Sequence, residues 1–198
     1  MEYVRLYMSS RQLLPPTQVV FPDGYSFRLF QPGDEFHWSR IACEAEQFTS
    51  SDIACTYFHN EFMNHPERVM EGCFFCCDGN GMPVGSATAW FCSRDGEEHG
   101  MLRWVVVSKS EQGKGLCRPL AGLAVQALAK EYERAFLHTQ TTSFKGIRVY
   151  LDMGFDPDMQ AERAETGWEI VLNQIQHPRL AAFLLSYHTE KKRGSAGR

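Results

Sequence analysis

Residues 104–117 read Trp104-Val105-Val106-Val107-Ser108-Lys109-Ser110-Glu111-Gln112-Gly113-Lys114-Gly115-Leu116-Cys117. The run that leads in, from Met101 to Val107, is apolar at nearly every position, as a central strand covered on both faces should be. Beyond it, Leu116, Leu120, Leu123, Ala124, Ala127 and Leu128 recur at helical spacing and predict an amphipathic helix. Two glycines stand between strand and helix, and glycine lets a backbone turn and approach a ligand without a Cβ clash. A helix N-terminus offers unpaired N–H groups and the positive end of its dipole, which together favour an anion such as a phosphate. Lys114 and Arg118 add positive charge nearby. Gly-x-Gly before a helix also fits a plain tight turn. The third glycine of the dinucleotide fingerprint and the Gly-Lys-Ser/Thr of a Walker A loop are both missing.

Outward from this junction the chain alternates strands and helices. Residues 1–24, punctuated by Pro15-Pro16 and Pro22-Asp23-Gly24, read as an N-terminal extension. Tyr25–Phe30 alternates as a strand. Asp34 offers an N-cap for a helix to about Phe48, and Ser51-Asp52 opens a second that stops near Asn64-His65-Pro66. Cys73–Cys77 and Val84–Phe91 pair across the turn Asp78-Gly79-Asn80-Gly81, and Arg94-Asp95-Gly96 leads into the Met101–Val107 strand. After the amphipathic helix come a strand at Ala135–Thr139 and a helix at Ser143–Met153, closed by Gly154. A strand at Trp168–Leu172 and a helix at His177–His188 follow. The fold class is α+β: a mixed, mostly antiparallel central sheet flanked by helices over residues 25–175. Residues 176–198 make a C-terminal helix and a flexible basic tail, Lys191–Arg198.

Composition narrows the function. The chain has 198 residues, the size of one domain, with 43% hydrophobic and 22% charged residues, enough to bury a core. A net charge of −4 argues against a general nucleic-acid partner. No stretch approaches the roughly 20 apolar residues that span a bilayer. Glu2, Arg5, Arg11 and Gln12 break the first residues, so no signal-peptide core is read and a cytoplasmic location is expected. Seven cysteines, an odd number without a secretion signal, do not form a disulfide framework. Cys73-Phe74-Phe75-Cys76-Cys77 suggests a metal, but in a strand Cys73 and Cys76 point to opposite faces and no glycine makes a knuckle. Buried thiols packing as small hydrophobes account for them, and no metal is expected.

Residues 104–117 resemble motif A of the GCN5-related N-acetyltransferases, with its Gln/Arg-x-x-Gly-x-Gly/Ala core. Downstream, Ser143-Phe144-Lys145-Gly146-Ile147-Arg148-Val149-Tyr150-Leu151-Asp152-Met153-Gly154-Phe155 is similar to motif B, Asn-x-x-Ala-x-x-x-Tyr-x-x-x-Gly-Phe. The two occur in the family's order. The resemblance implies acetyl-CoA as co-substrate, its pyrophosphate held by the Gln112–Arg118 loop through backbone amides of Gly113, Lys114, Gly115, Cys117 and Arg118. It implies pairing of the pantetheine arm with backbone groups of Val105 and Val107. Two positions depart from the pattern: Cys117 where glycine or alanine is usual, and Ser143 where asparagine is usual. Cysteine is small and keeps its N–H, and serine still caps a helix or hydrogen-bonds the pantetheine arm.

The resemblance assigns Tyr150 as the general acid that protonates the departing thiolate, and a backbone N–H near Val105 as the group that polarises the thioester carbonyl. A histidine or glutamate base is often carried on the strand before the phosphate loop. Here Met101 and Arg103 stand at those positions, His99 shares their parity, and Glu97 and Glu98 lie beside it; His138 is a further candidate. A water chain to a desolvated amine is the alternative. Arg103 on the acceptor face suits a carboxylate-bearing acceptor, or else an ion pair with Glu97 or Glu98. The implied activity is direct transfer of acetyl to a primary amine of a small molecule, by a monomer or homodimer with no nucleic-acid or membrane partner. The alternatives are a protein N-terminal or lysine acetyltransferase and a non-catalytic acyl-CoA-binding module.

Overall fold

Alternating and helical apolar patterns resolve into seven strands and seven α-helices among the residues described, 1–196, of a computed structural model. In chain order these are β1 (Arg5–Ser10), β2 (Ser26–Leu29), α1 (Glu35–Glu44), α2 (Ser51–Phe62), α3 (Pro66–Gly72), β3 (Cys73–Cys77), β4 (Pro83–Arg94) and β5 (Glu97–Val107). Then come α4 (Cys117–Glu131), β6 (Ala135–Gln140), α5 (Phe144–Asp152), β7 (Asp156–Pro157), α6 (Ala164–Ile175) and α7 (Pro178–Ala196). They gather into two units: a contiguous one, residues 15–135, and a composite one made of residues 1–14 with those from 136 onward.

In the contiguous unit, β2, β3, β4 and β5 form an antiparallel meander in that order. Its turns follow the sequence. Asp78 Oδ1 accepts from the amides of Asn80 and Met82, both at 2.9 Å, and Asp95 and Gly96 both take the positive φ of a tight hairpin. One face of the meander presents Cys73, Phe75, Cys77, Trp90, Met101 and Val106, which form one core with Trp38 and Ile41 of α1 and Phe58 and Phe62 of α2. Burying each of these large side chains stabilises the fold by roughly 1.5–3 kcal/mol. The opposite face receives α4 through the buried Leu120, Ala124 and Leu128. Gly85 and Gly100 point that way: a Cβ built on Gly85 would lie 2.9 Å from Leu120, and one on Gly100 3.1 Å from Leu128 and Tyr132.

The cysteines are free thiols among the described residues. Cys73 and Cys77 join the α1–α2 core whereas Cys76 does not, as strand alternation requires. Burial pushes the Cys73 and Cys76 thiols up to about 12, which keeps them neutral.

In the composite unit the order is β6-β1-β7, with Met8 opposite Pro157 and Ser9 opposite Asp156. Leu6 and Met8 are fully buried, as are Trp168 and Val171 of α6 and Ile147 of α5. The helix α5 closes at Gly154, whose φ of +91° and position against the Gln12 carbonyl, 2.6 Å from a built Cβ, both demand glycine. Arg179 grips Asp156 with two hydrogen bonds of 2.6 and 2.8 Å.

Several expectations are corrected. The expected extension 1–24 contains β1, whose Leu6/Met8 alternation is too short to announce a strand and whose neighbours β6 and β7 lie far along the chain. The strand expected at Trp168–Leu172 is the middle of α6, because Ala164, Trp168 and Val171 bury one helical face. The helix α3 begins with Pro66, read as a stop but well suited to a first helical turn. The helix expected to reach Phe48 ends at Glu44, where Glu46 turns left-handed. The stretch from Lys191 to Ala196, expected as tail, continues α7, and Gly197 and Arg198 lie outside the described residues.

Candidate active site

The loop between β5 and α4 has the backbone its two glycines suggest. Gly113 and Gly115 both sit at φ +83°, a conformation L side chains rarely adopt. A Cβ on Gly113 would meet no atom within 4 Å, so backbone conformation rather than crowding calls for glycine there. Helix α4 runs 15 residues from Cys117, and its N-cap Leu116 supplies no side-chain hydrogen bond. Among the described residues no backbone carbonyl accepts from the amides of Gly113 to Cys117. A run of unpaired donors at the positive end of a long helix is a site for an anion.

Side chains shape this loop in ways the sequence did not show. Gln112 turns back, its Nε2 donating to the Val107 carbonyl at 3.0 Å, so it braces the loop on β5. Lys114 donates to Glu111 at 2.9 Å, and the same carboxylate accepts the Tyr25 hydroxyl. The hydroxyl and the ammonium hold the Glu111 carboxyl below its ordinary range. Burial pushes the Cys117 thiol up to about 11, against the pull of the Arg118 charge, so Cys117 contributes as a small neutral side chain with an available amide.

β5 is not a regular strand where it approaches the loop. Ser86 faces Val106 and Thr88 faces Arg103, so Trp104 and Val105 together oppose Ala87 in a β-bulge. Trp104 takes φ +51°, a strained conformation for a bulky residue, of the order of 1–3 kcal/mol. Bulges re-aim backbone groups beside active sites, and this one lies at Val105, between Arg103 and Val107.

On the α1–α2 side of the bulge lies an aromatic and charged wall. Trp104 packs at 5.0 Å from Trp38, 5.4 Å from Phe48 and 5.2 Å from Tyr57. Arg103 donates to Glu61 Oε1 at 2.5 Å and to the Tyr57 hydroxyl at 2.7 Å, with its guanidinium 5.9 Å from the Phe62 ring centre. The ion pair expected with Glu97 or Glu98 is thus made with Glu61. Burial raises the Tyr57 hydroxyl, against the Arg103 charge. Neither Glu61 nor the bulge was visible in the sequence: no motif singles out Glu61, and no glycine marks Trp104.

The remaining candidates fall as follows. His99 is buried on β5 opposite Cys92 and shares the parity of Met101 and Arg103. Glu98 has the parity of Gly100 and is held by Tyr132, at the C-terminal cap of α4, at 2.6 Å and by Arg68 at 3.5 Å, away from Arg103. In the composite unit, His138 sits edge-on to Tyr7 at 4.6 Å. Ser143 accepts from Gln140 Nε2 at 2.8 Å just ahead of α5. Tyr150 is buried on α5, and a Cβ on Gly146, one turn earlier, would lie in ordinary contact with its hydroxyl, at 3.4 Å.

Three solved structures with this fold are distant in sequence. A GCN5-related N-acetyltransferase from Sphaerobacter thermophilus aligns with a TM-score of 0.57 at 20% identity, over 78% of this chain and 48% of its own. A GNAT-family acetyltransferase from Colwellia psychrerythraea aligns at 0.57 and 11% identity, over 79% and 54%. A tandem GNAT protein from the clavulanic acid biosynthesis pathway aligns at 0.56 and 15%, over 77% and 50%. The chain therefore spans about half the length of these proteins. No curated protein matches it by sequence. Among the described residues no helix is long and apolar enough to cross a membrane. The sequence profile of the acetyltransferase (GNAT) family matches residues 34–155, which takes in the bulged strand, the glycine loop and Tyr150, and the chain belongs to that family.

Proposed function

We propose that this protein transfers acetyl from acetyl-CoA directly to a primary amine of a small molecule. The observation that carries this reading is the run of amides from Gly113 to Cys117 with no backbone acceptor, leading into α4, one loop away from the Trp104–Val105 bulge. Consecutive amides at a helix N-terminus match a diphosphate in charge and donor geometry, so the residues fit the nucleotide end of CoA. Acetyl-CoA supplies an acyl group activated as a thioester. In this reading the backbone of Val105 and Val107 pairs with the pantetheine arm, and the Val105 N–H stabilises the oxyanion. Tyr150 returns a proton to the thiolate, an assignment that rests on the Tyr150-x-x-x-Gly154-Phe155 pattern.

Because Glu61 supplies Arg103 with a carboxylate from within the chain, Arg103 serves as part of the acceptor wall rather than as the holder of an acceptor's acid group. His99, on the same face as Arg103, relays the amine proton through water. The acceptor is a small-molecule amine, and no metal, nucleic acid or membrane takes part.

Calorimetric titration with CoA, followed by acetyl-CoA turnover against an amine panel with released thiol as readout, tests this. CoA binding with turnover on at least one small amine supports it. Tight binding without turnover on any small amine, peptide N-terminus or lysine peptide marks the protein as an acyl-CoA-binding module instead.

A further inference from the structure

Trp104 is the one residue within a β-strand, among those described, whose backbone is left-handed; the other non-glycine positive φ values, at Glu46, Asp95, Arg163 and Gln176, fall in turns and helix caps. A bulky residue keeps such a conformation only when its surroundings over-determine it. Two sets of contacts do so here, both from the α1–α2 segment. Trp38, Phe48 and Tyr57 pack three rings on the indole. The preceding residue, Arg103, is tied to Glu61 and to the Tyr57 hydroxyl, one hydrogen bond from each Nη. Tyr57 and Glu61 stand at i and i+4 on α2, so one helix face grips Arg103 at two points while the Tyr57 ring also bears on Trp104.

We propose that Tyr57 and Glu61 are positioning residues that act through Arg103 and Trp104 to hold the β5 bulge, and so fix where the Val105 amide is presented. The hydrogen bonds restrain the residue before the strained one, and the rings restrain the strained one itself. An unsupported bulge would relax toward the regular β4–β5 ladder and rotate the Val105 peptide away. Acceptors that press on α2 would then tune catalysis without touching the reacting atoms. The catalytic consequence rests on the acetyl-transfer reading; the mechanical one does not.

Tyr57→Phe removes only the hydroxyl and Glu61→Gln only the charge, and neither opens a cavity. Amide hydrogen exchange on Trp104–Val107 is followed alongside Phe74–Cys77 of β3 as an internal control, with CoA affinity and kcat measured on the same full-length proteins. The expected result is about tenfold faster exchange on Trp104–Val107 with β3 unchanged, CoA Kd within about twofold, and kcat lower by about tenfold or more with little change in acceptor KM. Unchanged exchange on Trp104–Val107 in both variants overturns the proposal, as does acceleration shared equally by β3. If the wild-type protein turns over no amine, the acetyl-transfer reading fails by itself, and the exchange comparison still decides the clamp.

Discussion

Glu111 accepts a hydrogen bond from Lys114 at 2.9 Å across Gly113, so the β5–α4 loop carries its own compensating anion. The Lys114 ammonium, which the sequence offers as a phosphate contact, is already neutralised, and the loop must rely on its amides. Glu111→Gln should tighten CoA binding by about two- to fivefold at low ionic strength, an effect that salt erodes. Lys114→Ala should weaken binding by less than about threefold. Titration calorimetry at two salt concentrations checks both, and weaker binding by Glu111→Gln would show that the acid serves the ligand rather than the lysine.

Gly113 separates a phosphate site from a mere turn. Its φ of +83° makes Gly113→Ala cost about 1–2 kcal/mol of stability by backbone strain, whichever role the loop has. The added methyl projects into space with no atom within 4 Å, the side from which a ligand would approach. CoA affinity should therefore fall by about tenfold or more, beyond what lost stability explains. Denaturation and calorimetry on the one variant separate the two effects.

Asp34 ties β2 to α1. It is buried, accepts from both Arg28 Nη atoms, and accepts the Gln31 amide at 2.7 Å. Burial alone would raise its carboxyl, but the hydrogen bonds from Arg28 and Gln31 outweigh it and the net direction is down. A depressed folded pKa stabilises fully above the ordinary aspartate range, near pH 4, and that contribution disappears as the pH falls through the lower folded value. Asp34→Asn should cost about 2 kcal/mol or more at neutral pH and flatten the acid limb of the stability curve. Urea midpoints from neutral pH to pH 2 measure this.

Gly154 belongs to the second motif for a structural reason. Its built Cβ lies 2.6 Å from the Gln12 carbonyl, a backbone atom that cannot swing aside, at a φ of +91°. Gly154→Ala should destabilise the protein by about 2 kcal/mol or more, read by chemical denaturation.

Tyr150→Phe keeps the buried ring and removes the proposed acid. It should lower kcat by about 100-fold while leaving the melting temperature and CoA affinity nearly unchanged. A matching loss of stability would assign the hydroxyl to packing instead.

Local pattern carried much of this. The apolar β5, the glycine pair and the period of α4 are properties of short stretches, and the structure has them where the sequence places them. Pairings between distant segments were not legible. Leu6 and Met8 make too short an alternation to announce β1, and α6 hid because Trp-Glu-Ile-Val-Leu satisfies both periods over five residues. The site divided the same way. The loop could be read, but Glu61 is one of two acids on α2, with nothing local to single it out, and nothing in Arg103-Trp104-Val105 signals that the middle residue turns left-handed. That conformation is imposed by rings from α1, α2 and the segment between them.

The division of the chain orders its assembly in time. Everything in residues 15–135 is contiguous, so that unit can complete its meander and core as soon as those residues emerge from the ribosome. β1 is made before that unit yet has its strand neighbours in β6 and β7, with Leu6 and Val4 set against Gly167 of α6. Its two buried apolar side chains must wait through the synthesis of the whole intervening unit. The composite unit thus closes late, through contacts of high sequence separation, and the slow phase of refolding should report on β1 docking.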